Sequence, residues 1–208
     1  MKHLKMKRPA AISIAVFLAA VTLAASLAGC SAKDASSVSD KEETQVTDTK
    51  PIVEITMQDG GKIDIELDPS AAPDTVENFL KLVNEGFYDS LTFHRIIPGF
   101  MIQGGDPEGT GMGGADTTIK GEFSSNGVDN PISHKRGVIS MARSQSPDSA
   151  SSQFFITNAD SVFLDGEYAA FGHVTSGMDV VDSISAVETS ANDAPTSPVV
   201  IESIKQIK

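Results

Sequence analysis

Residues 93–106 read Phe-His-Arg-Ile-Ile-Pro-Gly-Phe-Met-Ile-Gln-Gly-Gly-Asp, and two turn signals, Pro98-Gly99 and Gly104-Gly105, cut the run into extended pieces too short to be helices. Residues 93–97 and 100–103 are therefore expected as two short strands. Side chains alternate across a strand, so Phe93 and Arg95 are expected on one face, with His94 and Ile96 on the other. Past the turn Met101 and Gln103 share a face, with Phe100 at its edge. A guanidinium, an amide and a thioether would then line one concave surface.

The chain on either side supports a β-rich domain. Val53, Ile55 and Met57 alternate with polar residues, Asp59-Gly60-Gly61 turns, and Ile63, Ile65 and Leu67 alternate again, which predicts a hairpin with one wet face. Val76, Phe79, Leu80 and Val83 fall at helical spacing, with Pro73 in the first turn and Gly86 beyond the last, which predicts a helix over 73–85. Residues 104–127 are glycine-rich and poor in aliphatics, as in a surface loop. Strands are expected at 137–141, 153–157, 171–174 and 199–207, and a short helix at 178–185. Many short strands with two helices predict a β-barrel or sandwich with helical caps.

The segment 93–106, followed in order by Ile139-Ser140-Met141-Ala142, Ser152-Gln153-Phe154-Phe155-Ile156, Phe163-Leu164-Asp165-Gly166 and Phe171-Gly172, resembles the signature of the cyclophilin-type peptidyl-prolyl cis-trans isomerases. The resemblance covers residues 51–208. It implies a mostly β fold, a closed eight-stranded antiparallel barrel capped by two helices, and an enzyme that turns X-Pro bonds in proline-containing peptide segments. It also implies roles: Arg95 as the donor that stabilises the twisted prolyl amide, and Phe100, Met101, Phe155 and Leu164 as the proline pocket. Gln103 would hydrogen-bond the substrate backbone, helped by Gln153 and by the backbone around Ala142 and Arg143. His94 belongs to the family's site as a neighbour of the arginine, with no proton-transfer role.

Three positions depart from the family. Phe163 stands where many members carry tryptophan, and the chain has no tryptophan. The indole N–H that helps bind cyclosporin is missing, so weakened binding of that drug is expected while isomerisation survives. Tyr168 replaces a frequent histidine at the pocket wall. Arg143 replaces a frequent asparagine, and its charge suggests a preference for acidic residues near the proline. The competing class is a non-catalytic module whose groove holds proline-bearing segments as a chaperone or adaptor.

Isomerisation needs no cofactor, and none is expected. His94, His134 and His173 are too widely spaced for a metal cluster, so no metal site is expected. Gly109, Gly111 and Gly114 form a glycine pattern with no leading strand or following helix, which reads as loop. No Gly-x-Ser-x-Gly elbow supports a hydrolase.

The 208 residues carry 16 basic and 28 acidic side chains, a net charge of −12 that repels phosphate backbones and argues against nucleic acid as a partner. Lys2, Lys5, Lys7 and Arg8 precede an apolar run over residues 10–28 and then Leu27-Ala28-Gly29-Cys30, which is similar to a bacterial lipoprotein signal. Residues 1–29 are thus expected to be a signal peptide and Cys30, the only cysteine, a lipidated residue. An uncleaved membrane anchor is the alternative. Residues 31–50 are polar and cannot bury enough surface to order themselves, which predicts a flexible tether. The domain at 51–208 would then be extracytoplasmic, held to the membrane through Cys30.

Overall fold

The computed structural model describes residues 50–208. The expected signal segment, Cys30 and nearly all of the tether lie outside the described residues.

Eight strands form one antiparallel sheet: β1 (Ile52–Met57), β2 (Lys62–Leu67), β3 (Arg95–Ile97), β4 (Met101–Gly104), β5 (Val138–Met141), β6 (Phe154–Thr157), β7 (Ala170–Ser176) and β8 (Ile201–Gln206), in the order β3-β4-β6-β5-β7-β2-β1-β8. The first hairpin pairs as its alternation requires, Ile55 opposite Ile63 and Val53 opposite Ile65, with the apolar set fully buried. The sheet curls until its edges meet. Thr92 bridges Val200, and Phe93 N donates to Val199 O (2.9 Å), Ser90 N to Ile201 O (2.9 Å) and Ile201 N to Leu91 O (2.8 Å). The expected barrel is thus joined at this seam by a few single bonds rather than by a ladder.

Among the described residues two α-helices accompany the sheet, α1 (Pro73–Asn84) and α2 (Met178–Ser185). Helix α1 drives Val76, Phe79 and Val83 into the barrel. Phe79 meets Tyr88, Phe154 and Phe171 at ring-centre distances of 5.1–5.6 Å, the spacing at which tilted and edge-to-face pairs gain beyond their burial. Burial pushes the Tyr88 phenol far above its ordinary range. Val181 and Ile184 anchor α2 to the same core.

Helix α1 has no cap of its own, because Ala72 precedes it. The first amides of a helix lack intrahelical partners, and here the buried Glu122 carboxylate supplies them across 47 residues, accepting from Asp74 N (3.1 Å) and Thr75 N (2.8 Å). The long loop between β4 and β5 therefore holds the helix in place while remaining largely without strand. Replacing Glu122 by Ala leaves two amides unsatisfied in a dry setting. A loss of about 1–3 kcal/mol is expected from urea unfolding.

Candidate active site

Strand pairing, not proximity in sequence, assembles the site. Arg95 lies opposite Gln103 and Ile97 opposite Met101; Gln103 in turn lies opposite Phe155 on β6. These residues occupy one face of the sheet. The other face carries Ile96, Ile102 and Ile156 into the main core. A second apolar cluster, Met101, Phe155 and Leu164 with Ile97, Phe100, Ala142 and Tyr168 packed around it, covers the first face. Buried on both sides, β5 and β6 show no wet face at all. The alternation expected at 93–97 fails at its start: Phe93 is fully buried in the main core while Arg95 faces outward, because residues 93 and 94 precede the regular strand.

Arg95, Phe100, Met101, Gln103, Ala142, Arg143, Phe155, Leu164 and Tyr168 enclose a pocket of about 220 Å³. Its floor is Met101 and Phe155, both nearly inaccessible. Leu164 enters from a single 3-10 turn, Val162–Leu164, and Phe100 from the turn at Gly99, whose φ of +74° favours glycine. Phe163, 70% exposed, lies at the rim with its ring 5.4 Å from that of Phe100. Gln103 donates to Gln153 Oε1 (2.8 Å), and Gln153 donates to Gly113 O (2.7 Å), so the two amides are locked in a chain. Gln103, Gln153, Ala142 and Arg143 also border a second cavity of about 390 Å³, walled by Gly113, Gly114 and three serines.

The charges are partnered from outside the strands. Asp193, in the loop after α2, places Oδ2 3.4 Å from both Nε and Nη2 of Arg95. The Arg143 guanidinium lies between the rings of Phe123 and Tyr168, 5.1 and 4.8 Å from their centres. It donates to Glu167 O through Nε (3.0 Å) and Nη2 (2.9 Å) and to Ser144 O through Nη1 (3.0 Å). Its side chain is largely covered and engaged within the protein. In the free protein it also meets an acidic partner of its own, Glu167 Oε2 at 3.5 Å. What it offers the groove is its stem and its backbone.

The profile of the cyclophilin type peptidyl-prolyl cis-trans isomerase/CLD family matches residues 52–206. The chain belongs to that family. It is 51% identical over 129 residues to peptidyl-prolyl cis-trans isomerase B of Bacillus subtilis, spanning 62% of this chain and 87% of that protein. It is 45% identical over 161 residues to peptidyl-prolyl cis-trans isomerase A of Dickeya dadantii, spanning 71% and 80%. A cyclophilin type peptidyl-prolyl cis-trans isomerase of Cryptosporidium parvum, solved in the presence of the dipeptide Ala-Pro, superposes with a TM-score of 0.69 at 33% identity, over 76% of this chain and 99% of that one. As a cyclophilin, the chain is a rotamase that turns X-Pro bonds.

Within this cyclophilin the pocket gathers nine of the twelve positions singled out in the domain; Gln153 borders the adjoining cavity and Phe163 the rim. His94 is the exception. It lines neither cavity and is almost fully buried, beside the Thr92 backbone and the Gln153 side chain, and among the described residues neither ring nitrogen reaches a partner in full hydrogen-bond geometry. Burial lowers its pKa, against the opposing pull of Asp106. A second histidine plays a structural part. His134 stacks on Phe155 (6.1 Å, 15°), with Nδ1 2.9 Å from Asp165 Oδ1 and Nε2 3.0 Å from Ser140 Oγ. The order Asp-His-Ser is that of a hydrolytic triad, yet Ser140 has no accessible surface and meets no substrate. The three residues instead brace the floor of the pocket. Nothing in their spacing, 134, 140 and 165, marks them in advance.

Burial lowers the His134 pKa as well, although Asp165 opposes the shift. Both histidines are held neutral in the fold and take up protons more readily once unfolded. Their contribution is thus complete above the ordinary histidine pKa of about 6.5 and is lost as pH falls through and below it. Urea unfolding between about pH 7.5 and 5.5 should show stability declining with acidification, with a shallower decline in His134→Gln.

Proposed function

We propose that Arg95 is the catalytic group of this rotamase and that the chain acts on proline-containing segments of exported or cell-envelope proteins, assisting their folding. An X-Pro bond resists rotation by roughly 18–20 kcal/mol because the amide must give up its resonance. No covalent intermediate is needed. A donor that binds the twisted amide better than the planar one lowers the barrier, tenfold in rate for each ~1.4 kcal/mol of difference.

The observation that carries the mechanism is the register that sets Arg95 beside Gln103 above the pocket floored by Met101 and Phe155. The apolar pocket seats the proline ring, with Phe100 and Leu164 as its sides. The guanidinium donates a charge-assisted hydrogen bond to the amide as it twists, the stronger kind of bond in a setting partly shielded from water. Gln103, held by Gln153, receives the substrate backbone along with the main chain at Ala142 and Arg143. The neighbour solved in the presence of Ala-Pro supports a proline dipeptide as the minimal occupant. Phe163 presents a ring without a donor at the rim, so cyclosporin is proposed to bind weakly.

The cellular setting rests on sequence. The Leu27-Ala28-Gly29-Cys30 motif after a basic start and an apolar run supports lipidation at Cys30, and the polar stretch that follows would let the domain reach clients outside the membrane.

Exchange NMR on an Ala-Pro-Phe peptide tests the mechanism. The native chain should speed interconversion, which unaided takes tens of seconds. Arg95→Ala should lose roughly a hundredfold or more in kcat/KM while still shifting the peptide resonances on binding. Undiminished exchange with that variant would overturn the assignment.

A further inference from the structure

We propose that Asp193 is a positioning residue for the reaction, brought to Arg95 from the loop after α2 to hold its guanidinium in the orientation that meets the prolyl amide. This rests on the reading of Arg95 as the catalytic donor.

Two contacts of different kinds tie Asp193 to β3. Its carboxylate bridges Nε and Nη2 of Arg95 through one oxygen, 3.4 Å from each. Its carbonyl accepts from Ile96 N at 2.7 Å, on the strand edge that β4 leaves unpaired. The backbone bond fixes the carboxylate next to the residue it serves, so the ion pair does not depend on a mobile partner. The loop itself is built. Ser190 N donates to Ala194 O (2.8 Å), Asp193 N to Ser190 O (3.1 Å) and Thr196 N to Glu188 O (2.9 Å), and Thr189 bridges Pro195. Asp193 sits at its tip with φ +61°, one of two non-glycine residues with positive φ among those described. Aspartate and asparagine are the side chains that tolerate this backbone best.

An arginine has several rotatable bonds, and its side chain here is 44% exposed. Unrestrained, the guanidinium would pay for ordering at each turnover, which preorganisation avoids. Among the described residues Asp193 is the only carboxylate paired with it. The bridge engages Nε and one edge of Nη2, and among the described residues Nη1 has no hydrogen-bond partner, so donors remain for the substrate. Neither the pocket residues nor the strands themselves supply this restraint, and α2 lies between the pocket and the loop in sequence.

The test compares the full chain with Asp193→Asn and Asp193→Glu, alone and with Arg95→Ala. Asparagine keeps the backbone conformation and removes the charge. It should lower kcat roughly three- to tenfold, with KM changed less than about twofold. It should also shift the Arg95 Nε–H resonance in an arginine-selective NMR spectrum, a change that general loosening of the loop does not produce. Glutamate should recover part of kcat. In the Arg95→Ala background the asparagine substitution should cost nothing further. A native kcat in Asp193→Asn, an equal loss with Arg95 already removed, or glutamate as slow as asparagine would each overturn the proposal. Full activity in Arg95→Ala would instead overturn the mechanism on which it rests.

Discussion

The antiparallel pairing of Arg95 with Gln103, and of Gln103 with Phe155, holds a cation, an amide and an aromatic ring in one row across three strands. The side-chain period of a strand is two, so a slip of one residue between β3 and β4 would send Arg95 toward the core and Ile96 toward solvent. The core prevents that slip. Ile96 is fully buried on the opposite face beside Ile102 and Ile156, and it would have to leave the interior. Burial on one side of the sheet thus sets the geometry on the other. A hydrophobic effect that knows nothing of proline positions the residues that act on it.

Around that row, the protein restrains side chains by contacts made from a distance. Phe155 is braced from behind by His134, whose ring nitrogens face Asp165 and Ser140. Tyr168 is held against Phe155 on one side and the Arg143 guanidinium on the other. Gln103 is tied through Gln153 to Gly113 in the glycine-rich loop. These ties join pocket residues to one another and to the loops around them. A reaction without covalent chemistry depends on such placement, because its rate comes from how well fixed dipoles meet a twisted amide.

The charged groups sort by burial. Arg143 carries a cation into a largely covered place, and three backbone carbonyl contacts with two aromatic faces compensate for the lost water. Arg95 keeps part of its side chain in solvent and is paired by a single carboxylate oxygen. The first arrangement fixes a wall. The second leaves a donor able to change partners. Two arginines near one pocket therefore play opposite parts.

Much of the fold was legible in the residues. Alternation at 53–57 and 63–67 predicted the first hairpin, helical spacing predicted α1 and the short helix at 178–185, and the strand segments fell within a few residues of their positions. Those patterns are local, and local patterns are what propensity and periodicity report. The pocket set was legible through resemblance in 93–106 and its following blocks, and the structure brings most of it together. What local pattern could not reach was the surroundings: Phe93 turned inward before the strand began, His94 buried beside Gln153 rather than lining the pocket, Glu122 capping a helix 47 residues distant, His134 beneath Phe155, Asp193 beside Arg95. The sequence by itself determined the strands, the two helices and the identity of the family, because these depend on runs of neighbouring residues. Only the tertiary structure decided which charges were free and which were engaged, because a hydrogen-bond partner drawn from another loop is a matter of space, not of spacing.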